Sequence, residues 1–178
     1  SSDLAHWPVG RAGTVVDAGT GSGALAISFQ LERPSATVCA VDDSPAALAV
    51  AHANARRLGA PVRFWRGDWL QALPDHSVDL LLSNPPYLCD DDPHLPGLVA
   101  SGEPRSALVA ADDGLADLRL LASDARRVLK PGAWLLLEHG WTQGANVRQI
   151  LADHGYLDTC TIIDLSGNDR VSGGRLAD

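Results

Sequence analysis

The 178-residue sequence predicts an α/β domain with a mostly parallel sheet closed by an antiparallel C-terminal pair. Three observations carry that expectation. Short β-branched or aliphatic runs alternate with helix-patterned stretches, the signature of parallel strands covered by helices. Glycine and aspartate gather just past the ends of those runs, where doubly wound sheets bind ligands. The C-terminal segment breaks the alternation: extended runs at 158–165 and 170–176 flank Ser166-Gly167-Asn168-Asp169, a hairpin signal.

Thr14-Val15-Val16-Asp17-Ala18 opens the fold as a strand over 14–18, followed by Gly19-Thr20-Gly21-Ser22-Gly23 and a helix over 23–32. A second strand over 36–42 ends in Asp42. The next helix, 45–59, has Ser44 as its cap, Pro45 in the first turn and Gly59 as its stop. A third strand, 62–66, leads into Gly67-Asp68-Trp69. Val78-Asp79-Leu80-Leu81-Leu82-Ser83 reads as a buried fourth strand. A helix over 114–129 is expected to end at Lys130-Pro131-Gly132, before a strand over 133–139 and a helix over 143–154. Five parallel strands and the terminal pair make a seven-stranded sheet. The irregular stretch 88–113 is long for a connection in a compact domain. It holds Asp90-Asp91-Asp92-Pro93-His94 and Glu103-Pro104-Arg105, and reads either as a solvated acidic loop or as a lid beside the site.

The length suits one domain over 1–178 with one substantial core. Hydrophobic residues make up 46%, yet no apolar run approaches the ~18 needed to span a bilayer. Ser1-Ser2-Asp3-Leu4-Ala5-His6 has no leader pattern, so a cytoplasmic location is expected. Cys39, Cys89 and Cys160 match no disulfide or metal spacing, and Cys39 and Cys160 are expected as buried, reduced thiols on strands. The six histidines show no ligand pairing, and no metal is expected. Fourteen basic residues against 22 acidic give −8, a balance that repels a phosphate backbone and argues against extended nucleic-acid binding. There is no methionine even at position 1, so the chain is expected to be a processed piece of a longer protein.

Two segments carry chemistry. Asn84-Pro85-Pro86-Tyr87 follows the fourth strand, and its prolines lack N–H groups, fix φ and push each preceding residue toward extended backbone. The side-chain oxygen of Asn84 and the carbonyl of Pro85 can each accept one N–H of a target –NH2, aiming its nitrogen at an electrophile while Tyr87 packs on the flat group. An ordinary rigid turn has the same composition, so this tetrapeptide needs a second site beside it. The glycine run supplies one: strand, glycine loop and helix N-terminus form a ligand cradle. Gly19-x-Gly21-x-x-Ala24 also satisfies the relaxed dinucleotide fingerprint. Asp17, Asp42 and Asp68 at strand ends, and no Lys or Arg in the loop or first helix, suit a cation bearing hydroxyls better than a pyrophosphate. S-adenosyl-L-methionine is such a ligand.

These segments resemble the motifs of the protein-(glutamine-N5) methyltransferases. The resemblance rests on Asp17 to Gly23, Val41-Asp42-Asp43-Ser44-Pro45-Ala46-Ala47-Leu48, Gly67-Asp68-Trp69 and Ser83 to Tyr87. Glu103-Pro104-Arg105-Ser106-Ala107-Leu108, Leu137-Glu138-His139-Gly140 and Gly167-Asn168-Asp169-Arg170-Val171 continue it, in order, from Val15 to Arg175. The branch most resembled modifies class 1 peptide-chain release factors. The resemblance implies a Rossmann-like class I methyltransferase fold dependent on S-adenosylmethionine. It implies that Asp17 and Gly19, Thr20, Gly21, Ser22 and Gly23 surround the methionine part of the cofactor and that Asp42 takes the ribose. It places Asp68 and Trp69 by the adenine. Asn84, Pro85, Pro86 and Tyr87 would hold the glutamine of a Gly-Gly-Gln loop, with Asn84 bordering the cofactor too. Glu103, Arg105 and Glu138 read first as loop and strand-end supports.

The implied partners are release factors 1 and 2, met by a monomer without nucleic acid or membrane. The family's helical N-terminal recognition domain is not matched, since only about a dozen residues precede the first strand. Four other readings stay open: a ribosomal-protein glutamine as target, an adenine-N6 or ribosomal-RNA methyltransferase, a cofactor-binding module inactive without its docking domain, and, weakest, an NAD-dependent oxidoreductase.

Overall fold

The structure, a computed structural model, describes residues 7–178; residues 1–6, read above for a leader, lie outside the described residues. Its elements are β1 (Gly13–Ala18), α1 (Ala24–Glu32), β2 (Ala36–Asp42), α2 (Pro45–Leu58), β3 (Arg63–Arg66), β4 (Val78–Ser83) and α3 (Leu95–Ala100). Then come α4 (Ala111–Gly114), α5 (Ala116–Val128), β5 (Leu129–Glu138), α6 (Gly144–Asp153), β6 (Tyr156–Ile163) and β7 (Asp169–Leu176). One seven-stranded sheet runs β3-β2-β1-β4-β5-β7-β6. Its first five strands are parallel, and β7 lies antiparallel to both β5 and β6.

The unbroken apolar runs of the central strands follow from burial on both faces. Successive side chains point to opposite sides, so Val15, Val38, Leu80, Leu82 and Leu136 pack with Ala26 and Phe29 of α1. Val16, Cys39, Leu81, Leu135 and Leu137 face Leu118, Leu121, Val147 and Ile150 of α5 and α6. The start and stop of α2 follow the sequence reading. Ser44 accepts a hydrogen bond from the Ala47 N–H at 3.2 Å, Pro45 takes the first turn, and Gly59 closes the helix at φ 69.

Three expectations need correction. Lys130-Pro131-Gly132 does not end a helix: α5 stops at Val128 and these residues lie within β5. Leu129 pairs with Val78, and pairing resumes with Trp134 opposite Leu80, so the tripeptide bulges out between them. A missing donor and a left-handed turn explain the bulge: Pro131 has no N–H to give the ladder and Gly132 turns at φ 74. Second, 88–113 is not irregular throughout. It holds α3, a 3-10 turn at Arg105–Ala107 and a bridge between Leu88 and Val109, pinned by burial of Leu95, Leu108 and Ala110. Its α4 turn is left-handed at Asp112 (φ 56) and Asp113 (φ 52). Third, Cys160 is half-buried, whereas Cys39 is buried as expected; all three thiols are free. Among the described residues no helix is long and apolar enough to cross a membrane.

Candidate active site

The strand order reverses between β1 and β4, because β2 and β3 lie to one side and β5 to the other. A crevice opens at such a switch point, at the carboxyl ends of the strands. Ala18 and Ser83, the last residues of β1 and β4, are direct partners in the ladder. The Ser83 hydroxyl donates to the Ala18 carbonyl at 2.6 Å, closing the pair. The glycine loop and Asn84-Pro85-Pro86-Tyr87 therefore leave the sheet from neighbouring positions, as the sequence led us to expect.

Gly19, Gly21 and Gly23 have φ of 71°, 55° and 82°, left-handed backbone in which a side chain is strained. Gly23 also sits where a Cβ would meet Ala51 of α2 at 3.1 Å. Four of the loop's five backbone donors are engaged within the protein. The Gly19 and Thr20 N–H groups donate to Val41 O at 2.9 and 3.0 Å, Gly23 N–H to Thr20 O at 2.9 Å, and Gly21 N–H to Asp42 Oδ2 at 2.7 Å. Asp17, only 1% exposed, accepts from the Thr20 hydroxyl at 2.6 Å and from the Ala26 N–H at 3.2 Å. A protein carboxylate thus fills the anion position at the start of α1 that a phosphate would use. Asp17 braces the loop from below, and this cradle has little to offer a pyrophosphate.

Asp42 Oδ1 accepts the Ser44 N–H at 2.9 Å, so both of its oxygens are aimed by backbone donors while each keeps a further lone pair. Asp42 has no ion pair among the described residues. Trp69, itself at φ 43, lays its ring on the glycine loop: a Cβ on Gly19 would come within 3.0 Å of it. Asp68 is exposed and accepts from Gln71 at 2.6 Å. Ser22 is exposed, and its carbonyl holds the Asn54 side chain at 3.0 Å. Carboxylates, a flat indole and a loop whose backbone donors are mostly engaged suit an adenosine with a cationic tail. The residues present fit S-adenosylmethionine.

Pro85 is buried, Pro86 and Tyr87 are half-buried, and Asn84 is exposed. Neither the Asn84 side chain nor the Pro85 carbonyl has a hydrogen-bond partner among the described residues. The corner therefore presents two unused acceptors on a stiff backbone. Burial pushes the Tyr87 phenol above its usual range, Glu138 pushes it further, and the Arg170 guanidinium at its hydroxyl pulls the other way. Tyr87 stays a neutral phenol at physiological pH.

Sequence reasoning missed the side chains that hold this corner. The Gln143 amide donates to Tyr87 O at 3.0 Å and to Asp113 O at 3.2 Å, and its oxygen accepts the Gly140 N–H at 2.8 Å. Gly114, at φ 80, has no room for a Cβ, which would fall on the Tyr87 carbonyl. Behind Gly140, buried His139 contacts Gly140 O through Nδ1 at 2.8 Å and the Ser172 hydroxyl through Nε2 at 2.8 Å. Burial keeps its ring below its usual pKa, hence neutral. Ser172 continues to Thr161 at 2.7 Å, which Arg148 reaches in turn. The only local signals were the unabsorbed motif residues His139 and Arg170; Gln143 had none.

The family model described as methyltransferase small domain matches residues 4–95. The chain is 49% identical over 162 residues to the release factor glutamine methyltransferase of Xylella fastidiosa (strain Temecula1), covering 90% of this chain and 59% of that protein. It is 46% identical over 173 residues to the one from Salmonella typhimurium (strain LT2), covering 97% and 62%. The chain thus spans about three fifths of the length of these curated relatives. Among solved structures, a methyltransferase from Pyrococcus furiosus superposes with a TM-score of 0.71 at 19% identity, over 94% of this chain and 77% of that one. That likeness concerns the fold.

Proposed function

Because the chain belongs to the methyltransferase small domain family, we propose that it transfers a methyl group from S-adenosylmethionine to the side-chain amide nitrogen of a glutamine in a peptide-chain release factor. When bound, the cofactor supplies an electrophilic methyl group on a sulfonium, which the amide nitrogen takes. The protein's part is to bind and orient. Asp42 takes the ribose hydroxyls, Trp69 and Asp68 border the adenine, and the loop Gly19 to Gly23, braced by Asp17, surrounds the methionine part.

Across the crevice, Asn84 Oδ1 and Pro85 O each accept one N–H of the glutamine amide, while Tyr87 and Pro86 flank its plane. A primary amide is a poor nucleophile, so alignment has to supply much of the rate, on the order of 7–11 kcal/mol at best. As the nitrogen becomes cationic its N–H groups grow more acidic, and the two acceptors bind them more strongly than in the ground state. That difference is what accelerates the reaction. The two carbonyl oxygens hold but do not keep the proton: once the methyl group has been transferred, the N-methylated amide would release it to water.

The observation that carries this reading is the pair of unpartnered acceptors standing just past the strand that neighbours the glycine loop. Support for the release factor as partner comes from the names of the relatives. The Gly-Gly-Gln glutamine of release factors 1 and 2 is the target we infer, with residues 1–178 acting as one monomeric catalytic domain in the cytoplasm. Mass spectrometry of a release factor incubated with chain and cofactor tests it. One methyl group on a single glutamine is expected; methyl on an adenine-containing oligonucleotide and none on the release factor would contradict it.

A further inference from the structure

We infer that Gln143 is a positioning residue for the glutamine-binding corner, acting through the Tyr87 carbonyl. The inference rests on the reading of Asn84 to Tyr87 given above. All three polar positions that Gln143 uses belong to different segments. Its amide nitrogen holds Tyr87 O at the exit of the corner and Asp113 O in the left-handed turn, and its oxygen holds Gly140 N–H just past the end of β5. Only an amide side chain does this, because it donates twice from one end and accepts at the other. Gly114 closes on the same Tyr87 carbonyl, within a distance no Cβ tolerates.

The orientation of the amide is itself fixed. Gly140, its acceptor's partner, is flanked by His139, whose Nδ1 lies 2.8 Å from the Gly140 carbonyl. A proton on Nδ1 leaves Nε2 to accept from Ser172, which accepts from Thr161, which accepts from Arg148. Every link then has one donor and one acceptor, and the chain ends on the residue that orients Gln143. The terminal strands are thereby tied to the corner: β7 supplies Ser172, β6 supplies Thr161, and Arg170 lies against the Tyr87 hydroxyl.

Gln143 also sits at the N-cap position of α6, which gives a bland alternative a sharp test. If the side chain served only the helix end, Gln143→Glu would be harmless, because a carboxylate suits a helix N-terminus. If it clamps carbonyls, Gln143→Glu fails as badly as Gln143→Ala, because a carboxylate cannot donate. In steady-state kinetics with saturating cofactor, both variants are expected to lower kcat by about 10²-fold, the scale of an ångström-size misplacement. Cofactor Kd by calorimetry stays unchanged. A second readout needs no turnover. The chain has two tyrosines, and ultraviolet titration of Gln143→Ala is expected to bring the Tyr87 phenol down toward the ordinary ~10 as the corner moves outward. Wild-type kcat in Gln143→Glu, or a Tyr87 titration unmoved in Gln143→Ala, would overturn the inference. Absence of glutamine methylation by the wild-type chain would instead count against the substrate reading, and the titration would still decide the role of Gln143.

Discussion

Asn84 is the residue on which most of the proposed chemistry rests. It is exposed, carries an acceptor with no protein partner among the described residues, and follows the last residue of β4. Replacing it by Ala removes one of two charge-responsive acceptors. By analogy with losing one oxyanion-hole donor, the expected cost is about 3–4 kcal/mol in transition-state stabilisation. Asn84 also borders the cofactor, so Kd should rise somewhat but far less than kcat falls, and the two measured on one preparation separate its two roles. Asp42→Ala is expected to do the opposite, weakening cofactor binding by roughly 1.5–3 kcal/mol for each charge-assisted bond lost. Unchanged affinity by calorimetry would remove Asp42 from the cofactor site. At this scale the sequence was legible wherever side chains act locally, as with Asn84 to Tyr87 or the alternating glycines. It was less so for Asp17, whose carboxylate is buried beneath the loop on Thr20 and Ala26. It was silent on Gln143, whose partner Tyr87 lies 56 positions away.

Among the elements, short apolar runs and capping residues located β1, β2, β4 and α2 closely, because those signals are written in neighbouring residues. The error at Lys130-Pro131-Gly132 has a physical source: proline and glycine stop a helix and bulge a strand by the same lack of N–H and left-handed turn. The segment 88–113 looked irregular because its order comes from burying a few apolar side chains against the body. The terminal strands carry their own test. On β7, a Cβ at Gly173 would fall on Leu136 of β5. Gly173→Val is expected to destabilise the fold by about 1–3 kcal/mol through overpacking, as read from denaturant midpoints. His139 adds a pH dependence. Its folded pKa lies below the unfolded one, so the unfolded state binds the proton more readily and stability rises with pH across that window. Its contribution is complete above pH ~6.5 and falls away below it. His139→Gln should therefore flatten the acid side of the urea-midpoint profile, and an unaltered slope would show that other groups govern it.

For the molecule as a whole, one sheet brings both half-sites to a single edge: Asp42, Ala18, Ser83 and Glu138 all stand at strand ends on that edge. Its charge of −8 opposes a polyanionic partner, and a mobility shift with duplex DNA at physiological salt is expected to show no complex. The most direct measurement of the central claim is a crystal structure with S-adenosylhomocysteine and a Gly-Gly-Gln peptide bound. The glutamine amide nitrogen should lie within about 3 Å of both Asn84 Oδ1 and Pro85 O, with the adenosine beside Asp42. A glutamine bound elsewhere, or an amide turned away from Asn84 with the nucleoside outside the glycine loop, would contradict it.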